Sequence, residues 1–301
     1  MKVLYIAGTG RSGSTILDQI LGQLDGFFSV GELSHIWERG LVAGRKCGCG
    51  VPVPECPAWS PILARAFGEP WNVDPRRMAR LKARRRSPSS LVLGRLVNRG
   101  DENDYQHALG SLYRAVHEQT GCRVIVDSSK SPVHAKRVDS VAGVDLYLVH
   151  LVRDPRATAY SWLRKRSLPD FGDDRLMLRQ TPFESARRWV RWQLIAELLW
   201  RRRPHRYLLL RYEDFVSRPQ AALQEILSFV GESPAALPLV GASTVRLAPT
   251  HSVSGNPSRF TTGTVELRND MEWMHKMRRI DQLFVTALAL PLLLRYGYSL
   301  R

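Results

Sequence analysis

The octet Gly8-Thr9-Gly10-Arg11-Ser12-Gly13-Ser14-Thr15 is the feature that most constrains what this 301-residue chain can fold into. An unbroken β-branched and apolar run at 3–7 precedes it and reads as a buried strand. Apolar residues at helical spacing follow it over 14–24 and read as a helix. A strand that turns through glycines straight into a helix gathers backbone N–H groups and the positive end of a helix dipole at one point, which favours a bound anion. The plainer alternative is a glycine turn with no ligand, and the strand-to-helix context weighs against it.

Three further apolar runs, at 123–126, 146–152 and 207–210, read as strands. Each is followed at once by a polar cluster: Asp127-Ser128-Ser129-Lys130, Arg153-Asp154-Pro155 and Arg211-Tyr212-Glu213-Asp214. Pro155 suits the first turn of a helix that continues over 157–163. Residues 183–200 read as a long amphipathic helix in which Trp189, Trp192 and Trp200 serve packing. Alternating strands and helices predict an α/β, P-loop-like three-layer fold, with a mostly parallel central sheet and helices on both faces. Ligands of such sheets bind at the carboxyl ends of the strands, where the polar clusters fall. Residues 42–104 break the rhythm with prolines, three cysteines and a basic run at 76–86. They read as an insertion flanking the site within a single domain of 1–301, and 248–264 reads as an ordered loop.

The octet nearly fits the nucleotide loop G-x-x-x-x-G-K-[ST], but Ser14 stands where the lysine belongs and the loop's cation is Arg11. A kinase needs that lysine on the β- and γ-phosphates, so the departure argues against a phosphotransferase. The altered loop is similar instead to the 5'-phosphosulfate loop of sulfotransferases that use 3'-phosphoadenosine 5'-phosphosulfate (PAPS), with Arg11, Ser12, Gly13, Ser14 and Thr15 as the matching positions. Leu151-Val152-Arg153-Asp154-Pro155-Arg156, with Ser161 two helical turns further on, resembles the family's 3'-phosphate segment, in which Arg153 and Ser161 would hold one anion. Standing alone, the Arg-Asp-Pro-Arg run also suits a salt-bridge cluster at a helix start.

The pattern most resembles tyrosylprotein and carbohydrate sulfotransferases and their bacterial relatives. That resemblance implies Glu32, twenty-one residues after Arg11, as general base, and Lys130 as a catalytic lysine. It implies nucleotide contacts from Tyr212, from Arg164 or Lys165, and from Asn256 and Arg259 in a late loop. His35 is the competing base. The reaction implied is in-line displacement at sulfur, moving a sulfuryl group from PAPS to a hydroxyl or amine with no metal required.

The net charge of +16 gives two other classes a hearing. Only seven of the 44 basic residues are lysine, so arginine on solvated faces accounts for most of the excess. A nucleic-acid binder would show basic residues interleaved with stacking aromatics or a known module, and neither is visible. The longest apolar run, 283–294, is about half of what a bilayer needs and contains Pro291, so it reads as a buried C-terminal helix. The start of the chain lacks a signal-peptide pattern, which places the protein in the cytoplasm. The expected acceptor is a small molecule, glycan or glycolipid; the run 76–86 reads most simply as a solvated helix, and could also attract an acidic acceptor or an anionic membrane. Cys47, Cys49 and Cys56 form C-x-C-x6-C; with His35 or Cys122 as a fourth ligand they would make a metal site, but reduced, packed thiols are the simpler expectation.

Overall fold

The computed structural model describes residues 1–84, 99–171, 176–233 and 236–300. Five parallel strands form the central sheet: β1 (Lys2–Gly8), β2 (Phe27–Gly31), β3 (Val124–Lys130), β4 (Asp145–Val152) and β5 (Tyr207–Arg211). Their spatial order is β2-β3-β1-β4-β5. Parallel neighbours need crossovers, and helices supply them. The octet leads into α1 (Ser14–Leu21), and Pro155 is indeed the first residue of a helix, Pro155–Leu163.

The strands alternate their buried residues between two cores. Val3, Tyr5 and Ala7 join one hydrophobic cluster, while Leu4 and Ile6 join the other with Leu17, Ile20, Leu223 and Ile226. Side chains of period two, buried on both faces, are what a helix-covered parallel sheet demands. A small antiparallel sheet (Leu239–Gly241, Thr244–Leu247, Gly263–Glu266) lies beside it, unforeseen in the sequence.

Residues between Cys47 and Leu81 pack into the first of these cores. Trp59, Ile62, Leu63 and Phe67 of the helix Trp59–Phe67 share it with Leu109, Leu112 and Tyr113 of the helix Arg99–Thr120. Within the basic run, Arg85 and Arg86 lie outside the described residues, as does the rest of the insertion from 87 to 98. Its helix Pro75–Arg84 is not solvated all round, because Lys82 turns inward and its Nζ lies 2.7 Å from Glu38 Oε1.

The C-terminal helix, Arg279–Arg295, corrects another expectation. Val285, Ala289, Leu292 and Leu293 are buried on one stripe, but Ile280, Leu283, Phe284, Leu288 and Leu294 are exposed. Apolar residues run round the whole helix, while the fold covers only the side facing Trp189, Trp273 and Tyr296. Among the described residues no helix is long and apolar enough to cross a membrane.

Candidate active site

The register of the sheet sets out the site. Gly31 pairs with Asp127, Ala7 with Lys130, Gly8 with Leu151 and Val152 with Arg211, so all five strands end along one edge. The residues leaving that edge follow the strand order. Glu32 comes first, then Lys130, the Gly8–Thr15 loop, Arg153 and Tyr212. The sequence placed Lys130 after its strand, whereas it is the strand's last residue. The strand preceding Glu32 was not read at all.

These residues enclose a cavity of about 390 Å³. Arg11, Gly13, Ser14, Thr15, Glu32 and Lys130 line it, together with Arg153, Ser161, Tyr212 and Asn256. Six cationic side chains face it (Arg11, Arg39, Lys130, Arg153, Arg166 and Arg188) against the carboxylates of Glu32 and Asp270. Such an excess in a recess concentrates anions.

The loop is shaped for an anion. Gly13 caps α1 at φ 89° with no side-chain cap, so the first-turn N–H groups are left for a ligand. A Cβ on Gly13 would lie 2.2 Å from the Tyr212 ring, which fixes how closely loop and ring approach. Among the described residues, Arg11 (φ 70°) and Lys130 (φ 67°) are the non-glycine residues in the left-handed region. Each costs on the order of 1–3 kcal/mol, held by the surrounding structure, and such strain gathers at functional sites. The Arg11 guanidinium lies 4.8 Å from the Trp162 ring, and its Nε and Nη1 are buried without a hydrogen-bond partner. Burial and then the neighbouring Arg166 lower its pKa to about 10, so it stays charged.

Arg153 donates from Nη1 to the Arg11 carbonyl at 3.1 Å and lies 4.7 Å from the Tyr212 ring, while its buried Nε has no partner. The rest of the Arg-Asp-Pro-Arg run is structural. Asp154 accepts from the Arg156 N–H at 2.8 Å, capping the helix, and binds the Arg156 guanidinium at 2.7 Å. The salt-bridge reading thus holds for Asp154 and Arg156, while Arg153 faces the cavity.

At the opposite end Glu32 Oε1 accepts from Lys130 Nζ, and its Oε2 lies 3.6 Å from both His35 Nε2 and Arg39 Nη1. Burial pushes the Glu32 pKa up, but Lys130, His35 and Arg39 outweigh it and bring it to about 2. Burial lowers His35 to about 4, against the pull of Glu38, so at neutral pH its imidazole is uncharged. The chain is therefore arranged with an ionised carboxylate and a neutral imidazole side by side.

Three expected contacts lie elsewhere. Ser12 turns its hydroxyl onto the Thr9 carbonyl at 2.6 Å and shapes the loop from behind. Lys165 is exposed and off the cavity, and Arg164 pairs with Asp270 at 2.7 Å and Glu272 at 3.2 Å. The cation of that stretch that lines the cavity is Arg166. Arg259 is buried, bonded to Asp170 at 2.8 Å and to the carbonyls of Ser252 and Lys46. Arg259→Ala is expected to destabilise the fold by about 3–5 kcal/mol, because it strands a buried carboxylate. A urea titration reads this as a lower midpoint, whereas lost nucleotide affinity at unchanged midpoint would make Arg259 a ligand contact.

Reasoning from sequence also missed Trp162, Arg188, Trp192 and Asp270. Trp192, taken as packing, lines the cavity, while Trp189 and Trp200 are fully buried. Arg188 and Trp192 stand four apart on one helix face, a spacing that could have marked them as a pair. Cys47, Cys49 and Cys56 do converge, but the residue beside them is His251, not His35 or Cys122.

Residues 4–234 match the family described as "Sulfotransferase family". No curated protein matches the chain. Among solved structures, the "Sulfotransferase Domain from the Curacin Biosynthetic Pathway" is 19% identical, with a TM-score of 0.56 over 100% of this chain and 99% of that one. The "Sulfotransferase Domain from the Synechococcus PCC 7002 Olefin Synthase" is 18% identical, with a TM-score of 0.53 over 100% of this chain and 96% of that one. At those identities the likeness is one of fold.

Proposed function

This chain belongs to the sulfotransferase family, whose sulfuryl donor is PAPS, and from that premise we propose how its own residues divide the work. PAPS supplies the sulfuryl group and leaves as 3'-phosphoadenosine 5'-phosphate (PAP). The N–H groups of the Gly8–Thr15 loop and Arg11 hold the 5'-phosphosulfate end, and Arg153 with Ser161 holds the 3'-phosphate. Tyr212 packs beside that second anion site. The unpartnered buried nitrogens of Arg11 and Arg153 support this fit, since buried donors without acceptors are costly unless a ligand supplies them.

Glu32 takes the proton of the acceptor hydroxyl as the new O–S bond forms and the S–O bond to the 5'-phosphate breaks. Lys130 and Arg11 offset the charge that develops on the bridging and sulfuryl oxygens, the task a metal performs elsewhere. Lys130 is bonded to both Glu32 and the Ser128 carbonyl, so an arriving sulfuryl group competes with Glu32 for its ammonium. Loss of that partner raises the basicity of Glu32 at the moment a base is needed. The observation that carries the reading is the order of the groups along the sheet edge, base and lysine at one end and the Arg153–Tyr212 pair at the other, with the anion loop between.

The acceptor belongs to the proposal too. It is a small molecule, glycan or glycolipid that reaches Glu32 from the side of residues 36–42, with an anionic membrane as a docking surface for the basic helix beside it. A cytoplasmic setting is part of the same reading.

Calorimetry with PAP, ATP–Mg²⁺ and 5'-AMP tests the donor site. PAP is expected to bind tighter than 5'-AMP by about 10–100-fold, the worth of one charge-assisted phosphate contact. A preference for ATP–Mg²⁺ would return the chain to the phosphotransferases, and no nucleotide binding would remove the donor site.

A further inference from the structure

We propose that Cys47, Cys49, Cys56 and His251 bind a structural Zn²⁺ that fastens the late loop 250–259 to the cysteine knuckle beside the active site. The four ligand atoms lie within 4.8 Å of one another. Cys56 Sγ is 3.5 Å from Cys47 Sγ, 3.6 Å from Cys49 Sγ and 3.3 Å from His251 Nδ1, and Cys47 Sγ is 3.9 Å from that nitrogen. A tetrahedral zinc with sulfur at about 2.3 Å and nitrogen at about 2.0 Å sets its ligand atoms roughly 3.5–3.8 Å apart; these four separations, 3.3–3.9 Å, lie close to those edges, and none of the six exceeds 4.8 Å. Disulfide sulfurs would stand at about 2.05 Å. Three thiolates and an imidazole in tetrahedral array select zinc over the harder cations. With all four positions taken by protein the metal has no open site for chemistry, which marks it as structural. On binding, each of the three thiols gives its proton to solvent.

The His251 ring stacks on Phe28 at 6.2 Å, and Trp59 Nε1 donates to the His251 carbonyl at 2.6 Å, which fixes the imidazole's approach. Gly48 has no room for a side chain, since a Cβ there would sit 2.5 Å from the Thr250 carbonyl oxygen. Its N–H donates to the Ser252 carbonyl at 2.9 Å.

The consequence lies one turn of chain away. Val253 N–H donates to Val30, Glu32 N–H donates to the Ser254 carbonyl at 3.1 Å, and Asn256 lines the cavity. A metal holding His251 therefore anchors the segment against which Glu32 is set.

Elemental analysis of the full chain, purified without chelator under reducing conditions, is expected to give about one zinc per chain. Cobalt exchanged for zinc should show thiolate-to-metal charge-transfer absorption. Cys49→Ser, at a half-buried ligand, should lower zinc affinity by more than about 100-fold, the upper end of the cost of losing an outer-shell partner. Because the cobalt spectrum is read on the unaltered chain, a variant that fails to fold does not decide the matter. Less than about a tenth of an equivalent of transition metal, with no cobalt uptake after thiol reduction, would overturn the proposal. So would a Cys49–Cys56 disulfide in freshly isolated protein, which would make the cluster a redox pair. Neither readout involves nucleotide, so the outcome is independent of the donor-site reading.

Discussion

Glu32→Gln is expected to lower kcat for sulfuryl transfer by about 10²–10⁴-fold, the usual worth of a positioned general base, while PAP affinity changes little. The substitution keeps size and shape and removes the one group that, among the described residues, lines that end of the cavity both ionised and able to accept a proton. Asp270, the other carboxylate, is tied to Arg164 at 2.7 Å. His35 is the residue that could make this prediction fail. It is neutral at pH 7, and its Nε2 faces Glu32 at 3.6 Å. If Glu32→Gln keeps full turnover and His35→Gln loses it, the base is the imidazole.

The pH profile gives a second handle on the same pair. The Glu32 pKa is depressed in the folded chain, so its ion-pair stabilisation is fully present above the ordinary carboxylate value and is lost as pH falls toward about 2. Glu32 should therefore put no acid limb on kcat/KM of the free enzyme between pH 5 and 8, roughly the range over which enzymes are assayed. Lys130→Ala removes the largest force that lowers that pKa and leaves the burial that raises it. The acid limb should then move upward, alongside a fall in kcat from the lost electrostatic support. A limb that does not move would mean that Lys130 serves the sulfuryl group alone.

The fold and the placing of Arg11, Arg153 and Tyr212 around one cavity were legible because each piece is local. A strand, a glycine loop and a helix start within fifteen residues, and Arg153-Asp154-Pro155 announces a strand end and a helix start together. Glu32 was found through its spacing from Arg11, not through its own strand. Phe27–Gly31 is short, carries a polar Ser29 and is bounded by Gly26 and Gly31, so its period-two signal never accumulates. Arg39 and Arg166 were out of reach for a different reason. Each comes from a separate segment: Arg39 lies in 36–42, where its Nη1 donates to Ser254 Oγ at 2.9 Å, and Arg166 lies just past the helix Pro155–Leu163. His251 is the extreme case, 195 residues from Cys56 and brought to it by the pairing of Val253 with Val30. Arg259 shows the opposite failure, where a family position was carried over onto a side chain whose charge Asp170 already holds.

Arg153→Ala is expected to weaken PAP binding by about 10–100-fold and to erase most of the preference for PAP over 5'-AMP. Both parts follow from where Arg153 stands. Its guanidinium bonds the Arg11 carbonyl and lies against the Tyr212 ring, so it joins the anion loop to the far end of the cavity. Its Nε is buried and unpartnered, its Nη2 lies 3.9 Å from Asp270, and Ser161 faces the same space. An arginine placed only to brace the loop would, when removed, weaken PAP and 5'-AMP alike, because both carry the 5'-phosphate. An arginine that binds the 3'-phosphate weakens PAP alone. The ratio of the two affinities is thus the decisive quantity, and a thermal unfolding midpoint measured beside it separates a collapsed loop from a lost contact. Arg153→Lys sharpens the test. A lysine keeps the charge but lacks the fork that spans the Arg11 carbonyl and a phosphate oxygen together. It should restore part of the affinity and little of the discrimination. Equal losses for both nucleotides in both variants would move the 3'-phosphate away from Arg153, leaving Arg166 and Arg188 as the cations of the cavity able to receive it.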